Sequence, residues 1–126
     1  MNIFSKIGII VVNFALISYS IAIITEQVKK LVTNRVLTFL TIGIILDFTA
    51  TAFMILGSKN PPFSLHGILG YSSLLGMFID TILIWKFYYK NPVGTLVPKK
   101  LHKYSLAAYL WWIAAFITGG LLVAMR

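Results

Sequence analysis

The fold class this sequence predicts is an all-α integral membrane protein, an up-down four-helix bundle with both termini on the outer side. Three observations predict it. The chain of 126 residues is 59% hydrophobic and only 11% charged, with a mean hydropathy of +0.90, whereas a soluble domain of this size needs far more polar surface. Four apolar runs are each long enough to cross roughly 30 Å of hydrocarbon. The links between them are short, which sets successive helices antiparallel.

The first helix is expected over about 4–25, around IGIIVVNFALISYSIAII. Such a run resembles the apolar stretch of a signal peptide. It is long for one, however, with only Lys6 ahead of it and a weak small-x-small cleavage pattern, so it reads as a retained helix. EQVKKLVTNR then links to a second helix over about 36–57, VLTFLTIGIILDFTATAFMIL being its apolar run. GSKNPPFS follows, with Ser64 as the expected N-cap of a third helix over about 64–87. KFYYKNPVGTLVPKK joins the third helix to the fourth, and Pro92 and Pro98 bar a continuous helix there. The fourth covers about 103–124, around YSLAAYLWWIAAFITGGLLVAM. Neither repeats nor low-complexity segments interrupt 1–126, which forms one transmembrane domain.

Orientation follows from the basic residues. Lys29, Lys30 and Arg35 lie in the first link, and Lys86, Lys90, Lys99, Lys100 and Lys103 lie about the third; Lys6, Lys59 and Arg126 fall on the other side. By the positive-inside rule the two basic loops face the cytoplasm. The net charge of +8 comes in clusters separated by apolar runs, which suits anionic membrane lipids and not nucleic acid. With no cysteine, disulfides, thiolate metal sites and cysteine nucleophiles are excluded. Glycine-rich phosphate loops, HExxH and nucleophile elbows are also absent, and nothing resembles a set of hydrolytic residues.

Polar residues at depth are the candidate functional residues, because an ionisable side chain inside a membrane faces the bundle interior by default. Asp47 falls near the middle of the second helix, where insertion of an aspartate costs about 2.5–3.5 kcal/mol. Asn13 falls at nearly the same depth and is a candidate hydrogen-bond partner, as is Thr51. Asp80 sits nearer the cytoplasmic end of the third helix, within reach of snorkelling Lys99, Lys100, Lys103 or His102. His66, Gly70, Ser73, Met77 and Asp80 share a stripe about 80° wide on that helix. A packing seam needs only its small residues and Met77; a histidine at one end and an aspartate toward the other point to a face lining a cavity or cofactor.

Imidazole suits haem iron, and ligands in helical bundles project inward. His66 at the start of the third helix and His102 just before the fourth are therefore the candidate metal ligands. They lie near opposite membrane faces, about 30 Å apart, so they cannot share one iron. Met77 and Asp80 are the nearer candidates to accompany His102. Tyr109, Trp111 and Trp112 lie deep in the fourth helix, where they can stack on a planar cofactor or simply build core, the commoner use.

LDFTATAFM, FSLHGILGYSSLLGMFID and LHKYSLAAYLWWIAAFITGG together resemble the HsmA family, small four-helix bacterial membrane proteins associated with haem sensing and capture. The resemblance runs from about Ser18 to Gly120 and rests on Asp47, Thr51, Met54, His66, Gly67, Gly70, His102 and Trp112. It implies b-type haem binding in a bacterial cytoplasmic membrane. Members often carry a further histidine in the third helix, in a phrase like FHAIWA; here FIDTILIW has Asp80 at that place, and carboxylate is a poorer haem ligand than imidazole. The expected function is thus a haem-binding membrane protein that sequesters or senses haem, or transfers electrons like a small b-type cytochrome. His66 and His102 would ligate, with Asp47 orienting a ligand or water. The alternatives are a small transporter or proton conductor using Asp47 and Asp80, with homo-oligomers completing the path, and a structural subunit whose polar residues fix helix register.

Overall fold

The computed structural model describes residues 3–57, 65–91 and 94–124, with the side chains at 5, 57, 65–67 and 120–124 outside the described set. It is all-helical, with α1 at Ile3–Lys29, α2 at Asn34–Gly57, α3 at Leu65–Lys90 and α4 at Lys99–Ala124. The four helices are those expected, but all four boundaries move at the end carrying the basic loops, α3 running on from about 87 to Lys90. α1 runs on through Glu26, because EQVK favours helix and the stop lies at Lys30. There φ reaches 56°, and the amide bonds Glu26 O at 2.6 Å, a left-handed cap that satisfies a terminal carbonyl. α2 starts early because Thr33 caps it, its Oγ1 accepting from Val36 N at 3.3 Å. α4 starts directly after Pro98, whose carbonyl accepts from His102 N at 2.9 Å. His102 is therefore inside the first helical turn and not ahead of it.

The two basic loops meet. Leu31 and Leu96 form an antiparallel bridge, and Val97 N donates to Lys30 O at 2.8 Å. Val32 and Val97 are buried beneath this bridge and close the loop end of the core. Side-chain pairs around the ring fix an antiparallel order. Glu26 and Ser20 on α1 reach His102 and Tyr109 on α4. Thr41 and Phe48 on α2 reach Trp85 and Phe78 on α3. Asp80 and Ser72 on α3 reach Ser105 and Trp111 on α4. In every pair the residue number rises on one helix as it falls on its neighbour, which is up-down connectivity.

α1 and α2 form the closest-packed hairpin. At Gly43 an added Cβ would lie 2.5 Å from Cδ1 of Tyr19, so only glycine lets the fully buried Tyr19 ring lie flat on α2. Gly43→Ala is expected to destabilise the protein by about 1–3 kcal/mol through overpacking. Gly70 has open space where its Cβ would go, and Gly70→Ala is expected to be neutral or stabilising by up to about 1 kcal/mol. Unfolding in detergent, with the two variants side by side, checks the contrast.

The outside of the bundle is apolar. Ile10, Phe14, Ile17, Ile45, Leu75 and Leu110 all point outward, a surface that water would disfavour and hydrocarbon accepts. α1, α2 and α3 are each long and apolar enough to cross a membrane.

Candidate functional site: buried carboxylates at three depths

The chain has only three acidic residues, and all three are inside the bundle: Glu26 is 1% exposed, Asp47 4% and Asp80 0%. Counted from the loop end, they sit about 5, 20 and 15 Å along their helices at 1.5 Å per residue. Each is held by a different kind of partner.

At the rim, His102 Nδ1 lies 3.0 and 3.2 Å from the two carboxylate oxygens of Glu26. Gln27 braces the pair, its Nε2 donating to Glu26 Oε2 and to the His102 carbonyl, both at 3.0 Å. With its proton on Nδ1 the ring donates to Glu26, and Nε2 keeps its lone pair. His102 is 23% exposed and Gln27 is partly exposed too, so this bonded pair links the buried Glu26 carboxylate to the outside. Glu26 is a functional candidate that sequence reasoning missed. It reads as part of a polar link in EQVKK; the signal that could have found it is its being one of just three acids in a strongly basic chain.

Deeper in, Ser105 Oγ donates to Asp80 Oδ1. Asp80 is thus not paired with Lys99, Lys100, Lys103 or His102 as expected, because the early start of α4 turns Ser105 toward it and His102 toward Glu26. Asp80 Oδ2 is buried without any hydrogen-bond partner. Tyr104 caps this level, its hydroxyl donating to Gly76 O at 2.9 Å, and Thr81 Oγ1 donates to Met77 O at 2.8 Å. Of the α3 stripe, Ser73, Met77 and Asp80 are buried as expected, while Gly70 is half-exposed. His66 lies in the first turn of α3, and its side chain falls outside the described residues. Met77 is a further turn in from Asp80, well away from the His102 level.

In the middle of the bundle, Tyr19 Oη and Trp112 Nε1 both donate to Asp47 Oδ2 at 2.8 Å. The two rings meet edge to face with centroids 5.0 Å apart, and Trp112 stacks on Phe116 at 5.7 Å. The expected Asn13 partnership is overturned: Asn13 is on the outer surface, its Nδ2 donating to Ile9 O at 2.7 Å. A helix apolar all round leaves its rotation undetermined, and the packing of Tyr19 on Gly43 turns Asn13 away. Tyr109 is half-buried and shares a 2.6 Å hydrogen bond with Ser20.

Among the described residues no group of three or more His, Asp or Glu side chains converges to hold a bare metal ion. A haem iron makes a smaller demand, since the macrocycle supplies four ligands and the protein one or two. His102 meets that demand chemically: a carboxylate on Nδ1 with Nε2 left over is the arrangement that orients ligating imidazoles. The bundle axis does not fit a haem, because Tyr19, Met77, Asp80, Ser105 and Trp112 fill it. No family model, curated protein or solved structure matches the chain.

Proposed function

We propose that this is a multi-pass protein of a bacterial cytoplasmic membrane, with both termini outside, that binds b-type haem at its cytoplasmic rim through His102. The observation that carries the reading is the Glu26–His102 pair. A fully buried carboxylate fixes the imidazole's orientation and proton, and leaves a single nitrogen for iron. Support also comes from Lys99, Lys100 and Lys103, exposed around His102, which can pair with propionates, and from the resemblance in the three helix motifs. When bound, haem supplies the redox and exogenous-ligand chemistry. The chain's own residues hold it: His102 ligates, Glu26 and Gln27 position His102, and the lysines bind the acidic edge. Met77 and Asp80 lie too deep to join His102, so His102 acts as the one protein ligand at this rim.

The test is spectroscopic. The protein is expressed with haem supplied, purified in detergent, and its visible absorption recorded oxidised and reduced. A stoichiometric Soret band is expected, absent in His102→Ala and present in His66→Ala. A folded, colourless protein that also fails to take up added haem overturns the reading, as does a band that depends on His66 alone.

A further inference from the structure

Asp80 offers a site of a different kind. Its side chain is fully buried, Oδ1 is bonded by Ser105, and Oδ2 faces the interior with no partner. An ionised carboxylate with a bare oxygen in an apolar interior is strongly disfavoured. A proton on Oδ2, or a water bonded to it, removes that cost. The titratable groups facing this region are Tyr19 and Glu26 from α1, Asp47 from α2, and His102 and Tyr104 from α4. Three of them, Glu26, Tyr19 and Tyr104, are within electrostatic reach of Asp80. Lys99, Lys100 and Lys103 are exposed at the rim, and among the described residues no lysine or arginine pairs with Asp80.

We infer that Asp80 is a proton-binding site of the bundle interior, loaded from the basic-loop end and closed toward the other end. The direction follows from what lies on each side. Toward the loops, Glu26 lies within electrostatic reach of Asp80 and is itself bonded by Gln27 and the partly exposed His102, whereas the Tyr104 hydroxyl bonds Gly76 O, deeper along α3 than Asp80. Away from the loops, Asp47 already accepts from Tyr19 and Trp112. Beyond it the described interior has no titratable side chain, Lys6 and Tyr71 at that end being exposed. Among the described residues the path is therefore one-sided, a proton store and not a conduit, and it does not rest on haem binding.

The experiment uses haem-free protein in vesicles of phosphatidylcholine and phosphatidylglycerol, read by infrared difference spectra across pH. A protonated carboxyl C=O band that titrates with the external pH of the loop side and shifts in D2O is expected. Asp80→Asn should remove that component, and Ser105→Ala, which takes away the bond to Oδ1 while leaving the acid in place, should shift it. A titrating band identical in wild type, Asp80→Asn and Ser105→Ala overturns the assignment. Vesicles loaded with a pH-sensitive dye should acidify no faster with the protein than without it; proton flux that Asp80→Asn abolishes would overturn the closed end.

Discussion

Asp47→Ala is expected to destabilise the protein by about 2–4 kcal/mol, the largest effect on stability of any single polar substitution in the bundle. The magnitude comes from what is left behind. Tyr19 Oη and Trp112 Nε1 both donate to one carboxylate oxygen at 2.8 Å, and both rings are locked in the core by their edge-to-face contact. Removing the acceptor strands two buried donors at about 1–3 kcal/mol each. Hydrogen bonds between membrane helices average nearer 0.6 kcal/mol, because the separated helices also find partners, and this pulls the sum down. Asp47→Asn keeps an acceptor oxygen and should cost about 1 kcal/mol or less. Tyr19→Phe removes one donor along with its bond and should cost about 0.5–1.5 kcal/mol. Unfolding in mixed detergent micelles measures all three. If Asp47→Ala falls within 0.5 kcal/mol of wild type, the triad is not a structural tie and Asp47 must be kept for another reason.

That triad also marks the limit of what the sequence reveals. Hydropathy and link length were enough for four antiparallel helices, and the i, i+4, i+7 spacing was enough to turn Ser73, Met77 and Asp80 inward on α3. Neither reaches across helices. α1 and α2 are apolar on every side, so nothing in their periodicity says which face meets a neighbour. Asn13 and Tyr19 both look eligible to meet Asp47; the glycine at 43, which admits a ring and not a Cβ, decides for Tyr19. Glu26 is hidden for a second reason. The end of α1 is set by the Lys30 cap and by the pairing of Leu31 with Leu96, a contact between loops 65 residues apart in sequence. Local composition in EQVKKLVTNR carries no trace of it. The same long-range contact starts α4 four residues sooner than its apolar run suggests, and this changes the partner of His102 from Asp80 to Glu26.

The second large effect separates a ligating His102 from one that merely closes the rim. His102→Ala is expected to abolish stoichiometric haem absorption, since no other imidazole exists at that end of the molecule; the only other histidine is His66. Glu26→Gln is the sharper variant. It preserves the volume of a fully buried side chain and can still accept from His102 Nδ1, but it removes the charge that raises the basicity of Nε2. Loss of such a supporting carboxylate costs about 10–100-fold in metal affinity, so haem titration of Glu26→Gln should show weakened binding with the band retained, and a higher reduction potential, because a less basic imidazole stabilises ferric iron less. A purely structural Glu26–His102 tie predicts something else. Both variants would then lower the unfolding midpoint together while haem affinity, corrected for the folded fraction, stayed at the wild-type value. Equal affinity in wild type and Glu26→Gln, with His102→Ala still binding haem, would move any haem away from this rim and leave the pair as an interhelical brace between α1 and α4.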